Sequence, residues 1–596
     1  MMKSLRMISL AALASAFALG LAACGSSKSS VSANSGLNVP QGVQTPASES
    51  QTCVKHGGTL NALDHGDYEH IDPGLSYYAL DYEAVYATQR PLYSYKPNSF
   101  KEPVPDLAES APQISSDAKT VTIHIRHGVH FSPPVNREVS AADVAYALDR
   151  GFNPGVPNPY VPTYFKSIEG ASKAKGGAVP GIKAPDKYTL VIHLTEPAGA
   201  IVADALVLPL SAAVPEEYAK KYDAKSPSEY GNFQVATGPY MFKANGEHKV
   251  LGTGYQPGKS ATLVRNPNWN ASTDFRPACL DQINISIGGD PTVIGRQVLE
   301  GSNSVQNDAP TGSNVKLAYQ KFRSQLEISP GAGDHYVALN NSHGPFTNVN
   351  LRKAFWAALN REAMNKARGG ALVTNVMTHF MYPEIPGFEE AGGLTGPKVD
   401  YNEHPQGDTA VAEKYMKLAG YPGGKYTGAA TLQVVGNNGA PGPEESEIAN
   451  QALKNLGFKT KFNLVDQATM YSKYCGVVKE NIDVCPTVGW ISDFGDPQAT
   501  LDVPFNGKGI ITSGTNSNWG LVNHPAINNA MEAAAKVVGI EARAKAWANI
   551  DRELVAEAVA APYDWDKQAS IRASNVAGVG DLWNVGYWDY NFTSLK

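Results

Sequence analysis

An uncharged run of apolar and small residues, Met7 to Ala23, follows Lys3 and Arg6 and stops abruptly at Cys24. It is too short for a confident membrane span, which needs about 20 apolar residues. Its charged start, apolar middle and small-residue end are those of an export signal. An exported chain folds where disulfides form and persist. Residues 1–23 are therefore read as a signal peptide and set aside from the folded body.

The end of that run, Leu21-Ala22-Ala23-Cys24, resembles the bacterial lipobox, in which the cysteine is acylated and becomes the first mature residue. The expected location is the extracytoplasmic face of the cell membrane, held by lipid on Cys24. Residues 24–52 are rich in Ser, Asn, Gln, Pro and Gly, a composition that buries no core and reads as a flexible tether. Removal of Lys3 and Arg6 takes the formal charge from −6 to about −8. With no basic run in the remainder, nucleic acid is excluded as a partner. No second apolar segment approaches 18 residues, and the length exceeds what one hydrophobic core usually serves, so two or more domains are expected outside the bilayer.

If Cys24 carries lipid, Cys53, Cys279, Cys475 and Cys485 remain. Four cysteines in an oxidising compartment allow three pairings. Cys475 and Cys485 close a short local loop, which favours Cys53 with Cys279; buried free thiols are the alternative. No CxxC spacing supports a metal site.

Strand and helix patterns alternate along the chain. Residues 119–131 contain the alternating Val121, Ile123 and Ile125, and 187–194 is strand-like. Ser140 with Asp143 reads as a capped helix start for 139–152. Residues 351–370 read as one amphipathic helix with a glycine stop. Residues 408–424 form a second helix, 431–436, 444–458 and 459–466 read as strand, helix and strand, and 541–560 is a long late helix. This alternation predicts an α/β architecture.

Several chemistries lack their residues. There is no HExxH and no GxSxG. Gly252 to Ser260 looks like a phosphate loop, but Gly252 leaves five residues before Gly-Lys-Ser and Gly254 leaves three, where four are needed, and the following ATLVRN reads as a strand. His124, His127 and His130 cannot share one face of a strand at offsets of three, so they read as a solvated strand edge. Neither a catalytic residue nor a cofactor is assigned.

The segment KTVTIHIRHGVHFSPPVNREVSAADVAYALDR resembles the signature of the family 5 extracellular solute-binding proteins that serve ABC importers of dipeptides, oligopeptides and nickel. VATGPYMFK (235–243), SATLVRNPNWN (260–270), HYVALNN (335–341), NLRKAFWAALNREAM (350–364), AEKYMKLAGYPGG (412–424) and GWISDFGDP (489–497) resemble the same family in the same order. The signature departs at FSPPVNREVS, where many members have a shorter, Gly-containing turn, as a surface insertion would give.

The resemblance implies a three-lobed periplasmic-binding-protein-like fold of type II, cluster C, with a hinged ligand cleft. It places lobe I at 53–90, 216–333 and 563–596, lobe II at 91–215 and lobe III at 334–562. Cys53 and Cys279 then share lobe I, and Cys475 and Cys485 share lobe III. The implied function is capture of oligopeptides by a monomer and their delivery to ABC permease subunits. Asp493 matches the family Asp that takes the peptide α-amino group, and Trp490 the aromatic that often lines the cleft. Tyr77 and Tyr78 follow DPGL in a region placed near the cleft, although half-buried core tyrosines are the blander reading. Asp496, before Pro497, reads as the structural turn residue. Dipeptide binders hold the ligand carboxylate with an Arg before GW; residues 433–447 have none, and carry Glu444, Glu445 and Glu447. A longer peptide or a cationic ligand fits better than a strict dipeptide. A non-peptide solute such as a nickel–metallophore complex, an envelope enzyme and a ligand sensor are the alternatives.

Overall fold

The computed structural model describes residues 39–48, 51–97, 99–512, 516–580, 582 and 587–596. The export signal, Cys24 and the start of the tether lie outside the described residues. Three principal sheets carry the fold, and their strands come from distant parts of the chain.

The first sheet runs in the order Ser304–Gln306, Thr59–Leu63, Gln282–Ser286, Ser260–Arg265 and Tyr240–Phe242, with Tyr255–Gln256 also on Ser260–Arg265. Thr59–Leu63 is parallel to both neighbours. Parallel neighbours need long connections, so the sheet is assembled from segments more than 200 residues apart. The second sheet is antiparallel: Gln113–Ile114, Thr120–His124, Thr189–His193 and Ile182–Asp186. Val121, Ile123, Leu190 and Ile192 alternate inward along its two central strands and are buried, as their period of two requires. The helix Ala141–Arg150 follows, and Ser140 and Asp143 form its capping box.

The third sheet is ordered Thr374–Val376, Ala560–Ile571, Leu326–Leu339, Val484–Ile491, Thr431–Asn437 and Lys459–Val465. Leu326–Leu339 and Ala560–Ile571 form a long antiparallel ribbon whose register breaks between Pro330 and Asp334. Gly331 lies in the break; a Cβ there would stand 2.5 Å from the Asp566 carbonyl oxygen, so no side chain fits. Below the break, Leu326, Ile328, Ala569 and Ile571 pack on Ile294 and Val298. Above it, Tyr336 to Leu339 enter a larger core shared with Val434, Val484 and Tyr563. That core continues through Tyr95, Phe100, Tyr164 and Phe494 to the second sheet.

The expected strands 431–436 and 459–466 and the helices 444–458 and 541–560 are present within a few residues. Two expectations change. Residues 351–370 form two helices, Val349–Ala358 and Arg361–Arg368, because Leu359 is extended and the Asn360 side chain caps the second by accepting from Ala363 N at 2.9 Å. Residues 39–48, read as tether, are seated on the body: Gln44 N and O pair with Leu326 O and Ile328 N, each at 2.9 Å, and Val43 is buried against the Leu326 cluster. One valine and two backbone bonds suffice where average composition argued against packing.

Both expected disulfides form, Cys53–Cys279 and Cys475–Cys485. The first joins the approaches to the paired strands Thr59–Leu63 and Gln282–Ser286. Ser260–Arg265 is a strand, so no helix opens on the Gly252–Ser260 loop. Among the described residues no His, Cys, Asp and Glu group could hold a metal, and no helix is long and apolar enough to cross a membrane.

Candidate functional site

Strand Val484–Ile491 ends the central part of the third sheet, with Trp490 opposite Asp334 and Ile491 opposite Gly333. The chain then leaves the sheet and turns within six residues. Ser492 Oγ donates to Phe494 O at 2.7 Å. Asp496 accepts from Gln498 N at 2.8 Å and caps the helix Pro497–Phe505. Asp496 is thus the structural turn residue, paired with Arg543 at 2.7 and 2.9 Å. The loop is clasped from the side of the second sheet. Gly495 N donates to Tyr95 Oη at 2.9 Å, and a Cβ on Gly495 would fall 1.9 Å from Phe100 O.

Asp493 projects from this turn and is half-buried. Its one hydrogen-bond donor among the described residues is the Tyr164 hydroxyl, and no Lys, Arg or His pairs with it. Burial pushes its carboxyl up to about 6, against the opposing hydrogen bond from Tyr164. Asp496, three residues on, has a full guanidinium partner, whereas Asp493 has none.

Tyrosines surround this carboxylate. Tyr164 meets Phe494 edge-on at 4.9 Å and stacks at 6.3 Å on Tyr160, which lies 5.3 Å from Tyr77. Tyr77 and Tyr78 meet edge-to-face at 5.7 Å. They are 41% and 57% exposed, large values for aromatic rings, so the core reading does not describe them. Burial and then the Asp493 charge push the Tyr77 phenol up to about 12, which places Tyr77 within the field of that carboxylate. Beside Tyr164, on the side facing Gln498, a cavity of about 570 Å³ opens between residues 162–167 and the helices Pro497–Phe505 and Pro525–Ala534.

Trp490 is half-buried, and its polar atoms are committed inward. Its N donates to Asp334 Oδ1 at 3.0 Å, its Nε1 donates to Ala499 O at 2.9 Å, and its O accepts from Tyr382 Oη at 2.9 Å. It braces the strand end and offers only ring surface. Tyr160 and Tyr164 escaped the sequence reading; the signal available was the aromatic, proline-broken NPYVPTYF run.

The opposite face of the same strands carries charge. Arg368 Nη1 donates to the buried Glu445 at 3.2 Å and its Nε to Asp566 at 3.1 Å, and His335 Nε2 lies 3.2 Å from Asp566. Burial raises the Asp566 carboxyl, but His335 and Arg368 outweigh it and hold the group well below its usual range. Glu445 therefore serves Arg368, and residues 433–447 contain no Arg.

The sequence pattern of the bacterial extracellular solute-binding proteins, family 5, matches residues 102–511, two-thirds of the chain. The chain belongs to this family. Family 5 members are transport binding proteins, not enzymes. Curated relatives include the dipeptide-binding protein of Escherichia coli K12, 24% identical over 77% of this chain and 81% of that protein. The periplasmic oligopeptide-binding protein OppA of Salmonella typhimurium is 23% identical over 89% and 90%. Heme-binding protein A of Haemophilus influenzae is 26% identical over 74% and 75%. Among solved structures, clavulanic acid biosynthesis oligopeptide binding protein 2 superposes with a TM-score of 0.79 at 23% identity, covering 92% of this chain and 96% of that one. DppA from Helicobacter pylori, in complex with the peptide STSA, gives 0.67 at 20% identity over 91% and 98%. The fold is the multi-lobed α/β fold of the family 5 binding proteins.

Proposed function

We propose that the protein is a lipid-anchored binding protein that captures oligopeptides between lobes and hands them to an ABC permease. The observation that carries the peptide reading is Asp493: a half-buried carboxylate, ringed by tyrosines and lacking a cation. Such a charge is costly until a partner arrives. A peptide α-ammonium supplies that partner, and the peptide backbone can be held without regard to side chains. The names of several relatives, dipeptide- and oligopeptide-binding proteins, agree with this reading. The exposed Tyr77 and Tyr78 offer flat surface for residues beyond the amine, and Trp490 braces the strand end that leads to Asp493. The absence of an Arg in 433–447 favours ligands whose carboxylate is not clamped there.

Hinge closure would bury the ammonium against Asp493 and strengthen the pair. The test is a pair of thermal-shift titrations with one pool of tripeptides, unmodified and N-acetylated. Stabilisation by the unmodified pool alone supports the amine clamp; equal stabilisation by both removes it. Anchoring rests on the lipobox alone and is tested by Cys24→Ser, which should release the protein from membranes.

A further inference from the structure

The tyrosines around Asp493 come from two separate stretches of chain, and a buried ion triad joins them. Tyr77 and Tyr78 sit on the loop that begins at Asp72. Tyr160 and Tyr164 belong to the short helical turn Val161–Phe165 and its cap, where Tyr164 N donates to Tyr160 O at 2.8 Å. Arg150, the last residue of the helix Ala141–Arg150, reaches the loop directly. Its Nη1 and Nη2 donate to the two carboxylate oxygens of Asp72 at 3.0 and 2.7 Å. Its Nε and Nη2 donate to Asp223 at 2.7 and 2.9 Å, which fixes the guanidinium from the other side. All three side chains are buried.

Neutral links pass this contact on. Asp72 Oδ1 also accepts from Gly74 N at 2.8 Å, and the loop runs so close to the guanidinium that a Cβ on Gly74 would stand 2.7 Å from Arg150 Nη1. The buried amide of Asn158 then spans the two stretches. Its Nδ2 donates to Gly74 O at 2.9 Å, and its Oδ1 accepts from Tyr160 N at 3.0 Å. The Tyr160 hydroxyl returns to the loop, donating to Tyr77 O at 3.4 Å. One guanidinium between two carboxylates leaves the triad with a net negative charge, and apolar side chains of similar volume often stabilise as well as buried ions do. What the fork supplies is direction, because paired bonds to both carboxylates hold a planar guanidinium in one orientation.

We propose that Arg150 and Asn158 are positioning residues for the ligand site: together they lock the Tyr77 loop to the Tyr160–Tyr164 turn, and so hold the Tyr164 hydroxyl on Asp493 before a ligand arrives. The lock itself rests on no reading of function; its use in capture rests on the amine clamp proposed above. Among the described residues, the charge of Asp493 also reaches Tyr77, Tyr160 and Tyr382, all phenols held up by burial and uncharged. The Tyr164 bond is therefore what a loosened lock would alter.

Two variants test this, each read first without ligand. Infrared spectroscopy follows the Asp493 carboxyl titration as the difference between each protein and its Asp493→Asn counterpart. Asn158→Ala leaves the ion triad whole and cuts only the span to Tyr160. Arg150→Lys keeps the charge but cannot make paired bonds to both carboxylates. The expected midpoint is near 6 in the wild type and above 6 in both variants, since the Tyr164 bond lowers this carboxyl. If Arg150→Lys does not fold, Asn158→Ala decides alone. A merely structural role would lower the melting temperature and leave the midpoint in place, so an unmoved midpoint in folded Asn158→Ala overturns the proposal. Calorimetric titration with the unmodified tripeptide pool at pH 7 then reads capture. Asn158→Ala should lose up to about tenfold in affinity, the worth of one hydrogen bond; affinity equal to wild type overturns the role in capture. If the wild type binds no tripeptide, the function proposed above fails, while the infrared result still decides the lock.

Discussion

The hydroxyl of Tyr164 donates a hydrogen bond to the carboxylate of Asp493 across 329 positions of sequence. Tyr164 stands beside the second sheet and Asp493 at the end of a strand of the third. The bond supplies a donor but no charge, so the carboxylate is oriented and still short of a cation.

Replacing Asp493 by Asn keeps a group that can accept from Tyr164 and removes the charge. Peptide affinity should fall by about 3–5 kcal/mol, roughly two to four orders of magnitude. The melting temperature without ligand should stay the same or rise, because a half-buried charge is gone. A variant that keeps the full ligand-induced shift would refute the clamp.

Asp493 also predicts a pH dependence. Its carboxyl in the free protein sits near 6, above the ordinary value of about 3.9. The free site therefore takes up a proton as pH falls through 6, and that proton must leave before an ammonium can pair. Affinity should drop about tenfold per pH unit below 6. Above pH 6 affinity should be flat. Calorimetric titration from pH 4.5 to 7.5 reads both limbs, and an affinity unchanged below pH 6 would show that Asp493 does not meet the ligand's charge.

Tyr164→Phe removes the one bond that lowers the Asp493 carboxyl. The midpoint of the affinity loss should move above 6. An unmoved midpoint would show that the hydroxyl does not tune the carboxylate.

Gly495→Ala places a methyl 1.9 Å from Phe100 O, where backbone has to give way. The loop must pull back from the hairpin, at a cost of about 1–3 kcal/mol. The variant should melt lower and lose peptide response together. Unchanged binding would mean that the clasp at Gly495 is dispensable.

The two disulfides should differ in weight. Cys53–Cys279 spans 226 residues and Cys475–Cys485 spans 10. Chain-entropy arguments assign about 5 kcal/mol to the longer closure and about 3 to the shorter. Paired Cys→Ser replacement should lower the denaturant midpoint more for the first bridge.

Much of this was legible in the sequence because it is local. The Ser140–Asp143 box, the alternation of Val121, Ile123 and Ile125, and the short Cys475–Cys485 loop depend on neighbours within about ten residues. The break at Leu359 was hidden because its residues fit a helix on either side, and only the Asn360 cap separates them. Asp493 is singled out in the sequence by family resemblance alone. Its partner Tyr164 could not be, since one hydroxyl in a chain of many tyrosines carries no mark of the carboxylate it will meet.

The seat of Gln44 on Leu326 and Ile328 bears on how such a body would be tethered. A pull on the chain before residue 39 reaches the molecule at the near end of the Leu326–Leu339 ribbon, below the register break at Pro330. The strands that deliver Trp490 and Asp493 pair with the ribbon beyond that break. Tension on such a leash would be taken up at the Leu326 end of the ribbon, away from the strand that leads to Trp490 and Asp493.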